Sequence, residues 1–502
     1  MNSLEELLEH YFGFTEFRPG QKEVISSLLA GQHLLAMLPT GTGKSLCYQL
    51  PTYALKKPTL IVSPLLSLMQ DQAEQLKVRG EKRVLTFNSF LTLQQKKEAL
   101  SQLSSFRFIF ISPEMLALDY VIRAIQQIEI GLFVIDEAHC ISQWGYDFRP
   151  DYLNLGEARQ KLGEPLTLAL TATATEEVRK DIIEKLEIKD MKQIVSTVDR
   201  HNIALFVEKL SRYEEKLERL LQLVQQFSGS GIIYFSSKKA AESVSEYLHN
   251  QGVNRIAYYH GGMEPDQRML IQQQFITGQL QIICATSAFG MGVNKPDIRF
   301  VIHFHLPATM ESYVQEIGRA GRDGEQSAAV LLYSDGDEGL PLHLMEQQLP
   351  TDAQIEGVHA VLLKSGEGMM DVLKPMQEQL CHQFSLNEVQ FRMIAQFLAT
   401  KQDVAKPIEL FKQYCHTRKS RHAQKLEQLL QWVKDSTCRR LGIVQYFEES
   451  QAVDNPVCCD CCGMSIEQVM ERWPRIVERQ QADSFYWKRE LASILSIKGT
   501  KE

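Results

Sequence analysis

The chain has 502 residues and a formal net charge of −8, which gives room for roughly two to four domains. Its 44% hydrophobic and 23% charged content is ordinary for a globular protein. No apolar run approaches the ~20 residues of a membrane span, and Glu5, Glu6, Glu9 and His10 do not form a secretory signal. The acidic balance excludes a protein that coats nucleic acid over its whole surface, but not one with a local basic groove. The expectation is a soluble, cytoplasmic protein with no membrane partner.

In chain order, the first distinctive stretch is Phe14 to Gln21, with Phe17, Arg18, Pro19 and Gly20 between. A Gln amide donates and accepts at once, so Gln21 can read an adenine edge, with Phe14 and Arg18 either side of the ring. An ordinary turn with a buried aromatic is the competing reading. His33 to Leu38 predicts a strand, followed by Pro39, Thr40, Gly41, Thr42, Gly43, Lys44 and Ser45. This pattern predicts a phosphate loop. Its glycines bring backbone N–H groups to phosphate, Lys44 reaches the β- and γ-phosphates, and Ser45 ligates Mg²⁺. Strictly, the pattern places a glycine where this chain has Leu38.

Thr59 to Val62, Phe108 to Ile111 and Leu166 to Leu170 predict further strands, ending at Ser63, at Ser112 and at Thr171 to Thr173. Each hydroxyl is as good a helix cap as a ligand contact. Between them, Leu132 to Ile135 predicts a buried strand that delivers Asp136, Glu137, Ala138 and His139 to its C-terminal end. There one carboxylate can hold Mg²⁺ and its neighbour can orient or deprotonate water. The loop Cys140 to Tyr152 carries Trp144, Tyr146, Phe148, Arg149 and Tyr152, which suits base stacking with an arginine for phosphate. These features predict an α/β domain with a parallel sheet.

Leu217, Leu220, Leu221 and Val224 mark an amphipathic helix over Arg212 to Phe227. A second strand series follows at Gly231 to Phe235, Arg255 to Tyr259, Gln281 to Ala285, Phe300 to His303 and Ala328 to Tyr333. This second domain has no phosphate loop. Thr286 to Asp297 is a polar loop with Gly290, Gly292 and Asn294. Within Gln315 to Gly324, Arg319 and Arg322 lie three apart on one helical face and can reach a triphosphate held by the first domain.

Beyond Tyr333, Ile355 to Leu363 and Leu386 to Leu398 predict short amphipathic helices, either an inserted helical subdomain or a displaced winged helix. Lys412 to Arg440 holds eight Lys or Arg against Glu427 and Asp435, either a basic groove or a solvated helix face. Cys438, Cys458, Cys459, Cys461 and Cys462 crowd together. In an intracellular protein they suggest tetrahedral Zn²⁺ held by four of the five.

Taken in order, Phe14-Thr-Glu-Phe-Arg-Pro-Gly-Gln21, Pro39-Thr-Gly-Thr-Gly-Lys-Ser45, Asp136-Glu-Ala-His139, Ile141 to Pro150, Thr171-Ala-Thr173, Phe289 to Pro296 and Gln315 to Gly324 resemble the RecQ-type DNA helicases of superfamily 2. The resemblance covers roughly residues 1 to 340. It implies two RecA-like domains, 1–205 and 206–340, with ATP between them. It is extended here by a helical insert 341–437, a cysteine module 438–464 and a helical tail 465–502.

By motif match, Phe14, Arg18, Gln21 and Thr40 to Ser45 would bind ATP. Ser45 and Asp136 would hold Mg²⁺, and Glu137 would position water. Lys44, Asp136, Glu137, His139, Gln315, Arg319 and Arg322 would form the catalytic set. Trp144, Phe148, Arg149, Ser63 and Asn294 would meet DNA. The Cys-Arg-Arg start at Cys438 matches the family's zinc module, whereas the later cysteines are compressed. Forty residues follow Cys462, so the expectation is a short form without the usual winged helix and further C-terminal domain.

The resemblance implies an ATP-dependent helicase moving 3′ to 5′ on single-stranded DNA and acting on tailed duplexes in recombination, repair or replication-fork maintenance. It would be a monomer, nucleoid-associated in a bacterium, with repair or replication proteins as partners. A DNA-stimulated translocase without strand separation is the same-fold alternative. A non-catalytic nucleic-acid binder is the alternative of another class.

Overall fold

The computed structural model describes residues 3–142, 149–290, 293, 295–365, 376–400, 407–449 and 458–473. Two parallel sheets form its frame. The first holds β1 (Leu34–Met37), β2 (Thr59–Val62), β3 (Val84–Phe87), β4 (Phe108–Ile111), β5 (Leu132–Ile135), β6 (Thr167–Thr171) and β7 (Lys192–Val195), in the order β3-β4-β2-β5-β6-β1-β7. Its inner strands are short runs of Leu, Ile, Val and Phe, buried on both faces as a helix-covered parallel sheet requires. Each fully buried side chain of this kind contributes about 1.5–3 kcal/mol.

Register aligns the strand ends. Met37 pairs with Thr171 and Val62 with Ile135, so the loops after β1, β2, β5 and β6 leave along one edge. That edge is where open α/β sheets present ligand sites.

The second sheet holds β8 (Ile203–Lys209), β9 (Ser230–Tyr234), β10 (Ile256–Tyr259), β11 (Ile282–Ala285), β12 (Ile298–His303) and β13 (Ser327–Tyr333), in the order β10-β11-β9-β12-β13-β8. Strand β8 pairs with β13 along its whole length, so the boundary expected at 205 falls inside a strand.

Beyond β13, helices span Gly339–Gln348, Asp352–Ser365, Gln377–Gln383, Glu388–Thr400 and Pro407–Lys434. Ile355, Val358, Leu380, Phe391, Ile394, Leu398 and Phe411 give this region its own apolar core. Among the described residues this C-terminal region contains helices and no strand.

The long helix Pro407–Lys434 enters that core with Ile408 and Phe411. Its far end enters the main core with Leu426, Leu429, Trp432 and Val433. Midway it ties both sheet domains. Arg421 pairs with Glu177 at 2.5 Å in the first, and Lys425 with Glu311 at 2.6 Å in the second. Lys412 pairs with Glu356, Arg439 with Asp460 and Arg440 with Asp199. Five of the eight basic residues proposed for a groove therefore hold the fold together.

The helix Ile466–Glu471 docks on the second domain, where Trp473 packs against Phe227 with centroids 5.2 Å apart. No described helix is long and apolar enough to cross a membrane.

Candidate active site and cysteine cluster

The phosphate loop leaves β1 and enters the helix Leu46–Leu55, with Ser45 at its N-cap. Lys44 is held near the loop by a hydrogen bond from Nζ to the Leu38 carbonyl, 3.3 Å long. Burial holds its pKa below the ordinary lysine value, against the opposing pull of Glu137 and Asp136. Gly41 adopts φ +93°, and a Cβ there would lie 2.9 Å from Arg322 Cγ, so the loop and the second domain touch through a position only glycine fits.

Asp136 and Glu137 leave β5. The Asp136 amide donates to Val62, 2.9 Å away, and the Asp136 carboxylate accepts the Glu137 amide at 3.0 Å. Glu137 sits at φ +50°, which costs a non-glycine residue about 1–3 kcal/mol and marks a turn the surroundings enforce. Burial first, and the Glu137 charge second, push Asp136 up to about 7, while Lys44 opposes both. A buried carboxylate this reluctant to ionise fits a divalent cation, and Ser45 lines the same pocket.

His139 is buried, its Nδ1 3.0 Å from the Thr171 hydroxyl and 3.4 Å from Glu137 Oε2. It links the acidic turn to the end of β6. Tyr152, expected in a stacking loop, is instead fully buried and donates its hydroxyl to the Asp136 carbonyl at 3.1 Å.

From the second domain come Gln315, Arg319 and Arg322. They share one pocket of about 370 Å³ with Thr40, Gly41, Gly43, Lys44, Asp136 and Glu137. Arg319 donates to the Gly290 carbonyl, and Arg322 to Val293 at 2.6 Å. Nε of each arginine is buried without a hydrogen-bond partner among the described residues. Burial, then the charges of Arg319 and Arg200, bring Arg322 down to about 9. Buried cations facing a cavity fit a polyanion.

Phe14, Arg18 and Gln21 line the same pocket, with Phe14 half-exposed. Arg18 donates to the Gly41 carbonyl. The Gln21 amide nitrogen donates to Thr42 at 2.6 Å and Gly43 at 3.1 Å, and its oxygen accepts the Arg18 amide at 2.9 Å. In this structure Gln21 braces the phosphate loop rather than presenting a free edge to a base. Thr42 turns its hydroxyl back to Pro39, 2.8 Å away.

The expected DNA residues divide. Trp144, Phe148 and Asn294 lie outside the described residues. Arg149 donates to the Pro64 carbonyl at 2.8 Å, joining the aromatic loop to the loop after β2. Ser63 is buried, so its hydroxyl is not offered to a strand on the surface as expected.

Sequence reasoning missed Arg200. Its guanidinium donates to Thr40 at 2.8 Å from the first domain, and to Gly318, Ala320 and Gly321 at 3.0, 3.0 and 2.6 Å from the second. The only signal was a charged and polar run, Asp199 to Asn202, between two predicted domains.

The thiols of Cys438, Cys458, Cys459 and Cys462 lie within 4.8 Å of one another. Sulfur separations of 3.4 Å for Cys438–Cys458, 3.5 Å for Cys459–Cys462 and 4.0 Å for Cys458–Cys462 and Cys459–Cys438 bracket the geometry of zinc. Four sulfurs at ~2.3 Å from tetrahedral Zn²⁺ stand ~3.8 Å apart. Cys461 falls outside the set. The donors fit zinc, and five candidates reduce to four.

Comparison with known proteins agrees with this geometry. Residues 18–182 match the DEAD/DEAH box helicases, 215–324 the helicase conserved C-terminal domain and 393–463 the RecQ zinc-binding family. The chain is 43% identical over 509 aligned positions to the probable ATP-dependent DNA helicase RecS of Bacillus subtilis, covering 100% of both proteins. It is 41% identical to the ATP-dependent DNA helicase RecQ of Haemophilus influenzae, over 70% of this chain and 56% of that one. The fold resembles the Mycobacterium smegmatis helicase Lhr bound to single-stranded DNA and AMP-PNP. There the TM-score is 0.55 at 20% identity, covering 68% of this chain and 49% of the other. With two parallel-sheet domains closing on one phosphate loop and a four-thiol module behind them, the chain belongs to the RecQ family of helicases.

Proposed function

We propose that the protein is an ATP-dependent DNA helicase that moves 3′ to 5′ on single-stranded DNA and opens tailed duplexes, in recombination, repair or replication-fork maintenance. The observation that carries this reading is the shared cleft. Lys44, Asp136 and Glu137 face Arg319 and Arg322 across one pocket, with the two groups drawn from different domains.

The cleft explains how hydrolysis couples to motion. A triphosphate on the phosphate loop neutralises Lys44, Arg319 and Arg322 together, so its binding favours the closed arrangement. Ser45 and Asp136 would hold Mg²⁺, which would supply positive charge to polarise the phosphates. Glu137 orients the attacking water and accepts its proton. Both arginines stabilise charge on the transferred group.

Loss of the γ-phosphate removes the counter-charge shared by the domains, and the cleft relaxes. His139 connects Glu137 to Thr171 at the sheet edge, and Arg149 connects the aromatic loop to Pro64. These links support a path between DNA contact and hydrolysis, with Trp144, Phe148 and Asn294 proposed as strand contacts. Grip on phosphates makes binding weaken with salt and largely ignore sequence. Monomeric action, repair or replication partners and a cytoplasmic, nucleoid-associated setting belong to the same proposal.

The test is release of a labelled strand from 3′-tailed and 5′-tailed duplexes in Mg-ATP, with Lys44→Ala as control. Release only from the 3′ tail is expected. Lys44→Ala should lose at least about a hundredfold in hydrolysis while remaining folded. DNA-stimulated hydrolysis without strand release would instead assign the protein to translocation.

A further inference from the structure

The segment joining the two sheets is held from both sides. In front, Arg200 spreads its guanidinium over four carbonyls. Thr40 belongs to the phosphate loop, and Gly318, Ala320 and Gly321 belong to the turn that carries Arg319 and Arg322. A planar fork with fixed donor directions sets the spacing between loop and turn in a way a flexible ammonium cannot. Arg200 is not among the residues lining the nucleotide pocket, so it acts on the reaction through others.

Behind, the buried Arg440 donates to the backbone carbonyl of Arg200 itself at 2.9 Å and of Ile203 at 2.6 Å, and it pairs with the Asp199 carboxylate. Glu449 accepts the Val198 amide at 2.7 Å and the Thr197 hydroxyl at 2.5 Å. Arg440 stands two residues after Cys438, one of the four clustered thiols. The Leu205 amide, just past the linker, donates to the carbonyl of Cys458 at 3.2 Å.

We propose that Arg200 is a positioning residue for ATP hydrolysis, holding the phosphate loop in register with the two arginines of the second domain. We further propose that Arg440 sets Arg200, so that the cysteine module tunes the ATP cleft through the linker. The proposal rests on the cleft being the site of ATP hydrolysis. A wild-type protein without ATPase activity would overturn that reading and this proposal with it, whereas an active wild type with unchanged Arg200 variants would overturn this proposal alone.

The experiment uses the full chain as Arg200→Ala, Arg200→Lys, Arg440→Ala and the Arg200→Ala/Arg440→Ala double variant. Three quantities are measured: kcat and KM with single-stranded DNA, equilibrium binding of a fluorescent non-hydrolysable ATP analogue, and zinc content. For Arg200→Ala we expect kcat to fall about a hundredfold, as for a reacting geometry displaced by about 1 Å, with analogue affinity changed less than about threefold. Arg200→Lys, which can reach only some of the carbonyls, should recover less than about a tenth of the lost activity. It carries the test if the alanine variant does not fold.

Arg440→Ala should lose about tenfold in kcat with zinc retained, and the double variant should be no slower than Arg200→Ala alone, since residues acting in one line are not additive. Wild-type kcat in either Arg200 variant, or analogue binding lost in step with kcat, would overturn the role of Arg200. Additive losses in the double variant, or zinc lost from Arg440→Ala, would overturn the link to the cysteine module.

Discussion

At the scale of single residues, the cleft is built by close approach more than by long-range attraction. Gly41 at φ +93° leaves no room for a side chain before Arg322. Gly41→Ala should therefore strain the loop by about 1–3 kcal/mol and displace Arg322. We expect at least about a tenfold fall in kcat together with a melting temperature lowered by roughly 2–10 °C, read by steady-state hydrolysis beside thermal denaturation. Gly290 is constrained in the same way, since a Cβ there would meet Arg319 at 2.3 Å. The residues that meet in this pocket were legible in the sequence because phosphate, metal and water would each demand a residue type at fixed spacing. Its bracing was not. Gln21 and Arg200 spend their donors on backbone carbonyls, and a carbonyl carries no sequence identity.

Among elements, the strands that sequence reading found are mostly those buried on both faces, with the partly exposed edge strand β10 the exception. Thr59–Val62, Phe108–Ile111 and Leu132–Ile135 appear at the bounds that their apolar runs predict. The edge strands β3 and β7 escaped it. β7 reads Lys-Gln-Ile-Val and buries only Ile194, so it has neither a continuous apolar run nor a clean alternation. β8 escaped for another reason, since its apolar run Ile203 to Val207 lies across the expected domain boundary.

The cysteine module shows the limit of spacing arguments. Cys458-x-x-Cys461 and Cys459-x-x-Cys462 are equivalent in sequence, and only the fold selects between them. Two adjacent thiols, Cys458 and Cys459, both turn inward with Cys438 and Cys462. Cys461→Ser should retain one zinc per chain, whereas Cys459→Ser should lose most of it. Metal analysis of the purified variants decides this, and equal loss in both would reject the four-thiol set.

For the whole molecule, stability should depend on pH through histidines held neutral inside it. Burial first, then Lys216, brings His305 down to about 4, and its Nδ1 accepts the Ser236 amide at 3.2 Å. Burial, then Arg418 and Lys425, lowers His422 to about 4 as well. The unfolded chain binds protons on both below about pH 6.5 and the folded chain does not until about pH 4. Their stabilisation is thus complete above pH 6.5 and is lost as pH falls toward 4, by at most about 3 kcal/mol for each. Thermal melts from pH 7.5 to 4.5 should show this decline, and His305→Gln should flatten it. An unchanged slope would place the acid sensitivity elsewhere.

The helix Pro407–Lys434 has a mechanical consequence. From Lys425 to Lys434 it is packed into the second domain, where Trp432 meets Tyr313 with centroids 5.0 Å apart, whereas its ion pair with the first domain, Arg421 to Glu177, lies in solvent. An exposed ion pair contributes at most about 1 kcal/mol. The helix is therefore a lever carried by the second domain and latched to the first. When the domains swing, the latch at Arg421 yields while the packed end travels with its own sheet.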